Sequence, residues 1–275
     1  MLILKKNRTL TLLCLLALAI ALAGLFVRFR SSMIQARSRK PALTRMSSFP
    51  KLFLWAWERP EELGFINPKE IGVAFLAETV YLNENHAVAR PRLQPLEVPA
   101  GTTLVAVVRI ESTRGETPSL SDEQRKEVVE SLLEVAGKPN VSALQIDFDA
   151  TLSQREFYKN LLHDIRNRLP ESVPLSMTAL ASWCIFDTWV TEMPVDEAVP
   201  MLFQMGVDQH RISDYLNTGG GFRSSLCQQS IGISTDENKV AVPSDVRVYA
   251  FSPNPWSEST VLSVLKRSRN AISIP

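Results

Sequence analysis

Histidine is scarce in this chain, with three in 275 residues. His86, His163 and His210 are spaced too widely to pair as metal ligands on one helical turn, and His163 falls on the solvent side of an amphipathic pattern. No G-x-x-x-x-G-K-[ST] loop, no dinucleotide fingerprint and no G-x-S-x-G elbow occurs. The usual signatures of a metal enzyme, a nucleotide enzyme and a serine hydrolase are therefore missing, and no cofactor is expected. Gly219-Gly220-Gly221 reads as a plain turn in preference to an anion cradle. There is no internal repeat and no low-complexity tract.

Acidic residues are missing from residues 1–45, which hold nine Lys or Arg. The remainder carries 21 basic and 29 acidic residues, a balance of −8. An acidic domain without a basic stripe is not built for nucleic acid.

The N-terminus reads as a targeting segment. Lys5, Lys6 and Arg8 precede an uncharged run from Thr9 to Val27, and Arg28 and Arg30 follow. Nineteen mostly apolar residues just span a bilayer as a helix. Two readings compete: an uncleaved signal anchor, which the length favours, or a signal peptide cut at Ala21-Leu22-Ala23. The leading basic residues favour an inside N-terminus. The expected location is the cell envelope, with the domain on the periplasmic or extracellular side, or secreted if the segment is cleaved. Cys14 lacks a lipobox and reads as an apolar filler. Residues 28–50 form a basic, Ser-rich, Pro-punctuated linker, and residues 51–275 a single domain. Cys184 and Cys227 read either as one disulfide of an exported domain or as two buried thiols.

What the domain does contain is a succession of apolar runs. They are Lys51 to Trp57, Ile71 to Leu82, Thr102 to Ile110, Ala143 to Asp149, Pro174 to Ser182, Ala198 to Met205, Ser230 to Ser234 and Val246 to Ser252. Near-continuous apolar runs suit parallel strands buried on both faces. Helix patterns over 121–136, 153–169 and 257–269 lie among or after them. The order predicts an α/β fold, a (β/α)₈ TIM-type barrel with one or two helices missing, ahead of an open doubly wound sheet. Residues 83–101 read as an inserted arm or hairpin.

The fourth run, SALQIDFDAT, ends in Asp147 and Asp149. Residues i and i+2 of a strand share a face, so both carboxylates point the same way at the end where barrel enzymes build their sites. Two close carboxylates resist ionising together, which leaves one as an acid and the other as a base or charge stabiliser. The competing reading makes Asp149 a cap for the next helix. The other strand ends offer Trp55, Trp57, Glu58, Arg109, Glu111, Thr178, Ser182, Trp183, Gln204, Asp208, Ser252, Asn254 and Trp256. Aromatic faces that stack on sugar rings, beside polar groups for hydroxyls, make a carbohydrate-type set. Arg109 with Glu111 also reads as a structural ion pair.

Four segments, KLFLWAWERPEEL, LQIDFDATLSQREFY, LSMTALASWC and DEAVPMLFQMG, resemble a bacterial family of unknown function, domain-of-unknown-function family 3142. The resemblance covers most of Lys51 to Pro275 and implies a barrel-like fold, with no activity to carry over. SALQIDFD is more distantly similar to the strand-four signature D-G-x-D-x-D-x-E of chitinase-like, family 18 glycosidases. On that resemblance Asp147 matches the third Asp, Asp149 stands where the acid Glu belongs, and Trp256 would supply an aromatic floor. Ser142 and Gln145 stand where the signature has Asp, and Asp149 is one methylene, about 1.5 Å, short of Glu. Those departures point to a two-carboxylate mechanism, with Asp149 as acid and Glu58, Asp147 or Glu111 as its partner. The expected protein is a glycosidase-like barrel acting on an envelope or extracellular glycan. Trp57, Arg109, Glu111, Thr178, Trp183, Gln204 and Trp256 would bind substrate. The alternatives are a non-catalytic glycan- or partner-binding protein of the same fold, and an assembly scaffold with a filled barrel mouth.

Overall fold

The computed structural model describes residues 45–112, 115, 117–237, 240 and 245–269. They belong to one compact unit, Arg45–Pro275. The run from Thr9 to Val27, Cys14 and Ala21-Leu22-Ala23 lie outside the described residues. No helix among the described residues is long and apolar enough to cross a membrane.

The strands, in chain order, are β1 (Leu52–Ala56), β2 (Glu61–Glu62), β3 (Ile71–Asn83), β4 (His86–Pro91), β5 (Leu96–Glu97), β6 (Leu104–Ser112), β7 (Val141–Asp147), β8 (Leu175–Leu180), β9 (Glu197–Met201), β10 (Ser230–Ser234) and β11 (Arg247–Phe251). Eight of them, β1, β3 and β6–β11, pair in parallel, and β1 closes the ring by pairing with both β3 and β11. The chain folds as a (β/α)₈ barrel, and each expected run supplies one barrel strand. The expected arm is the hairpin of β3 and β4, which turns at Glu84 with φ +41°.

The helices are α1 (Asp122–Ala136), α2 (Arg155–Arg168), α3 (Ala181–Ile185), α4 (Gln209–Asn217) and α5 (Glu258–Arg269). Helix α1 starts where the Ser121 hydroxyl accepts the Gln124 N–H, with Asp122 and Glu123 in its positive first turn. Helix α2 buries Phe157, Leu161, Leu162 and Ile165, and ends before Pro170. No helix joins β1 to β3 or β3 to β6, and the described residues between β10 and β11 hold none. The short α3 and α4 stand where the sequence offers no long amphipathic period.

Period-two alternation decides what faces the barrel axis. Phe53 and Trp55, Val105 and Val107, Ala143, Val199 and Tyr249 form the interior apolar cluster. Glycine makes room for the large rings. A Cβ at Gly72 would lie 2.3 Å from the Phe53 ring, and one at Gly232 would lie 2.8 Å from Trp55.

The end of the barrel where the strands begin is closed by charge and by chain. Glu197 and Arg247, 1% and 6% exposed, form an ion pair at 2.6 Å. The Tyr249 hydroxyl donates to Glu197 at 2.6 Å. Arg247 also donates to the Met46 and Pro50 carbonyls. Met46 is fully buried and Arg45 pairs with Asp196 at 2.9 Å, so the chain already packs against this end before Lys51.

Candidate functional site

The opposite end opens into a pocket of about 340 Å³. Neighbouring strands place its chemistry. Arg109 of β6 is in register with Asp147 of β7. Thr178 of β8 donates its hydroxyl to Asp147 at 2.6 Å. Asp149 stands two residues past Asp147, at the exposed rim. Trp55, Trp57, Phe203 and Phe251 supply the aromatic wall, while Gln204 and Asp208 come from the loop after β9. That strand stops at Met201, earlier than the run to Met205 implied, because the chain turns at Gln204 with φ +50° and again at Gly206 with φ +59°.

The capping reading of Asp149 does not hold. Thr151 and Gln154 build the capping box of the following turn, and Asp149 takes no part in it. Asp208 occupies the residue before α4 but makes no side-chain cap bond. Two of the three pocket carboxylates therefore have no structural employment that the described residues reveal.

Burial pushes the Asp147 carboxyl up to about 6, and the neighbouring Asp149 charge adds to the rise. The Thr178 hydrogen bond and the Arg109 charge oppose it. Asp149 is also shifted upward, first by desolvation at the pocket wall, against the pull of Arg109. Arg109 is itself held by Glu111 at 2.6 Å and lies 5.7 Å from the Trp57 ring centre.

Trp55 is fixed from below. Its indole N–H donates to Gln145 Oε1 at 3.0 Å, and the Gln145 amide donates to Ser176 Oγ at 3.1 Å. Ser176 reaches Glu197 at 3.3 Å. Trp55 also stacks on Tyr249, with ring centres 5.4 Å apart. The residue that departs from the glycosidase signature, Gln145, is thus fully buried and spends both ends of its amide on the scaffold.

Of the residues expected at the site, Asp147, Asp149, Trp57, Arg109, Thr178 and Gln204 line this pocket. Four others lie elsewhere. Glu58 is exposed outside the lining, and Glu111 reaches the pocket only through Arg109. Trp183 is buried outside the barrel, 4.8 Å edge-on to Trp189. Trp256 is turned back by the 253–255 loop. It packs in the outer core with Leu54 and Ala56 and donates its indole N–H to the Trp55 carbonyl at 2.9 Å. Phe203 and Phe251 were absent from the expected set, although each follows an inward residue, Met201 and Tyr249, by two positions.

A provisionally named chitinase A from Streptomyces coelicolor has a similar fold, with a TM-score of 0.50 and 10% identity over 81% of this chain and 97% of that one. The Bacillus cereus spore cortex-lytic enzyme SleL aligns with a TM-score of 0.43 and 14% identity over 81% of this chain and 58% of that one. The first likeness establishes the barrel fold. No family model and no curated protein matches the chain. The family of unknown function therefore rests on the quoted segments alone. Cys184 and Cys227 are joined as a disulfide across 43 residues, which resolves the two readings of that pair.

Proposed function

We propose that the protein is an exported glycoside hydrolase acting on an envelope or extracellular glycan, and that it belongs with the family of unknown function it resembles. The observation that carries this reading is the pair Asp147 and Asp149, released from capping and set against an aromatic wall. Asp149, at the rim, serves as general acid. Asp147, beneath it and held by Thr178, serves as charge partner. With one proton shared between them, Asp149 protonates the glycosidic oxygen as the C–O bond breaks, and the leaving sugar departs as a neutral alcohol. The two carboxylates that remain stabilise the positive charge that grows at the anomeric carbon, where a water then adds its oxygen to form the new C–O bond and returns a proton to the pair. Trp55, Trp57, Phe203 and Phe251 provide stacking faces. The disulfide supports an oxidising compartment.

The second reading, a glycan-binding protein without turnover, is favoured by one observation. Gln145 supplies no charge and serves only to hold Trp55. A hydrolysis screen of the full-length protein on a glycan panel, beside Asp149→Asn, separates the two. A hydrolase loses about 10²–10⁴-fold in turnover in the variant while its fold is kept. Glycan binding without turnover in both proteins identifies the binder.

A further inference from the structure

The proposed function leaves the sugar open, and the pocket's charge narrows it. Among the described residues, three carboxylates, Asp147, Asp149 and Asp208, line one cavity with a single cation, Arg109. That cation is already engaged by Glu111. No hydrogen bond or ion pair from a described residue reaches Asp208, and Asp149 accepts no hydrogen bond from one. A neutral sugar would leave this negative charge uncompensated in a half-enclosed space. The same lining carries four aromatic rings, Trp55, Trp57, Phe203 and Phe251. Carboxylates and aromatic rings in one cavity make an environment for a cation, through ion pairing and cation–π attraction. The volume of about 340 Å³ suits a ligand of one or two sugar rings.

We infer that the pocket selects a cationic amino sugar, a hexosamine ring with a free ammonium group, over its N-acylated or neutral counterparts. The inference rests on the glycan reading above and names the substrate class for the same site. The amine of a hexosamine, made less basic than an α-amino group by its neighbouring oxygens, is protonated at mildly acidic pH, where an ordinary aspartate is still ionised. Asp208, which stands outside the proton-sharing pair, is its charge partner, and the aromatic rings of the lining take the ring face. N-acylation removes the charge and adds bulk where the carboxylates stand.

The test titrates the full-length protein at about pH 5.5, where the amine is charged and ordinary aspartates are ionised, with three oligosaccharides of equal length: a free-amine glucosamine oligomer, its N-acetylated form and a glucose oligomer. Tryptophan fluorescence and calorimetry read the binding. The free-amine oligomer is expected to bind at least about tenfold more tightly than either neutral oligomer, a difference of one RT ln 10 step. Asp208→Asn is expected to remove most of that preference, while Glu58→Gln, outside the pocket, leaves it intact. Equal or tighter binding of a neutral oligomer overturns the inference and leaves the glycan reading standing. Failure of all three oligomers to bind counts against both. A free-amine preference that survives Asp208→Asn but falls in Glu58→Gln places the cation on the acidic outer surface and also overturns the inference.

Discussion

The two halves of the barrel interior hold charge in opposite ways. At the closed end, Glu197 has Arg247, Tyr249 and Ser176 as partners, and the network runs on through Gln145 to Trp55. At the open end, Asp147 has one hydroxyl and Asp149 and Asp208 have no hydrogen-bond donor among the described residues. Buried charge is costly unless it is paired, so a fold that pairs it at one end can afford to leave it unpaired only where a ligand or water completes it. The same axis thus carries a satisfied ion pair at one end and under-partnered carboxylates at the other. Satisfaction of the polar groups, more than their identity, separates scaffold from site.

The largest expected effect lies at the closed end. Glu197→Ala leaves Arg247 buried without its partner and is expected to cost about 3–5 kcal/mol of stability. Urea unfolding beside Asp149→Asn, which should lose no stability because burial disfavours that carboxylate's charged form in the fold, measures the contrast. Equal losses in the two variants would abolish the distinction between the halves.

Asp147→Asn is expected to act in the opposite sense. Its carboxyl titrates near 6 in the fold against 3.8 unfolded, so the native state holds a proton the unfolded chain has lost. Stability therefore falls as pH rises from about 3.8 to about 6. The amide removes that penalty while still accepting from Thr178. Up to about 3 kcal/mol is expected above pH 6, and nothing below pH 3.5. Thermal melts across this range test it. On the proposed hydrolase mechanism, turnover should decline above about pH 6, as the pair gives up the proton the acid needs.

Gln145→Leu tests the link between the halves. It strips the Trp55 indole of its acceptor and Ser176 of one of its two partners, and about 1–3 kcal/mol is expected to be lost. Saccharide affinity should weaken as Trp55 loosens, with a red-shifted tryptophan emission as the readout. Unchanged emission and affinity would mean that the Tyr249 stack alone holds the ring.

The barrel was legible because its strands are buried on both faces and read as unbroken apolar runs. Asp147 and Asp149 were legible through strand alternation, which places i and i+2 on one face. The same rule applied to Met201 and Tyr249 would have found Phe203 and Phe251. Trp183 and Trp256 were misplaced for a different reason. An aromatic residue beyond a strand end is free to enter the mouth or fold back onto the outer shell, and only the path of the loop decides. The left-handed turn at Gln204 was equally hidden, because nothing local marks a glutamine for positive φ.

The smallest expected effect on stability belongs to Asp208→Asn, and it is the sharpest test of the open end. Asp208 precedes α4, where asparagine and aspartate cap equally well, yet the aspartate makes no cap bond. The amide loses only the attraction of a negative charge to the helix N-terminus, a few tenths of a kcal/mol. Urea unfolding should therefore differ from wild type by less than about 0.5 kcal/mol. A larger loss would mean that this carboxylate serves the fold, and the open end would resemble the closed one. A neutral result, with saccharide selectivity altered, would place Asp208 among the groups whose charge is reserved for the ligand.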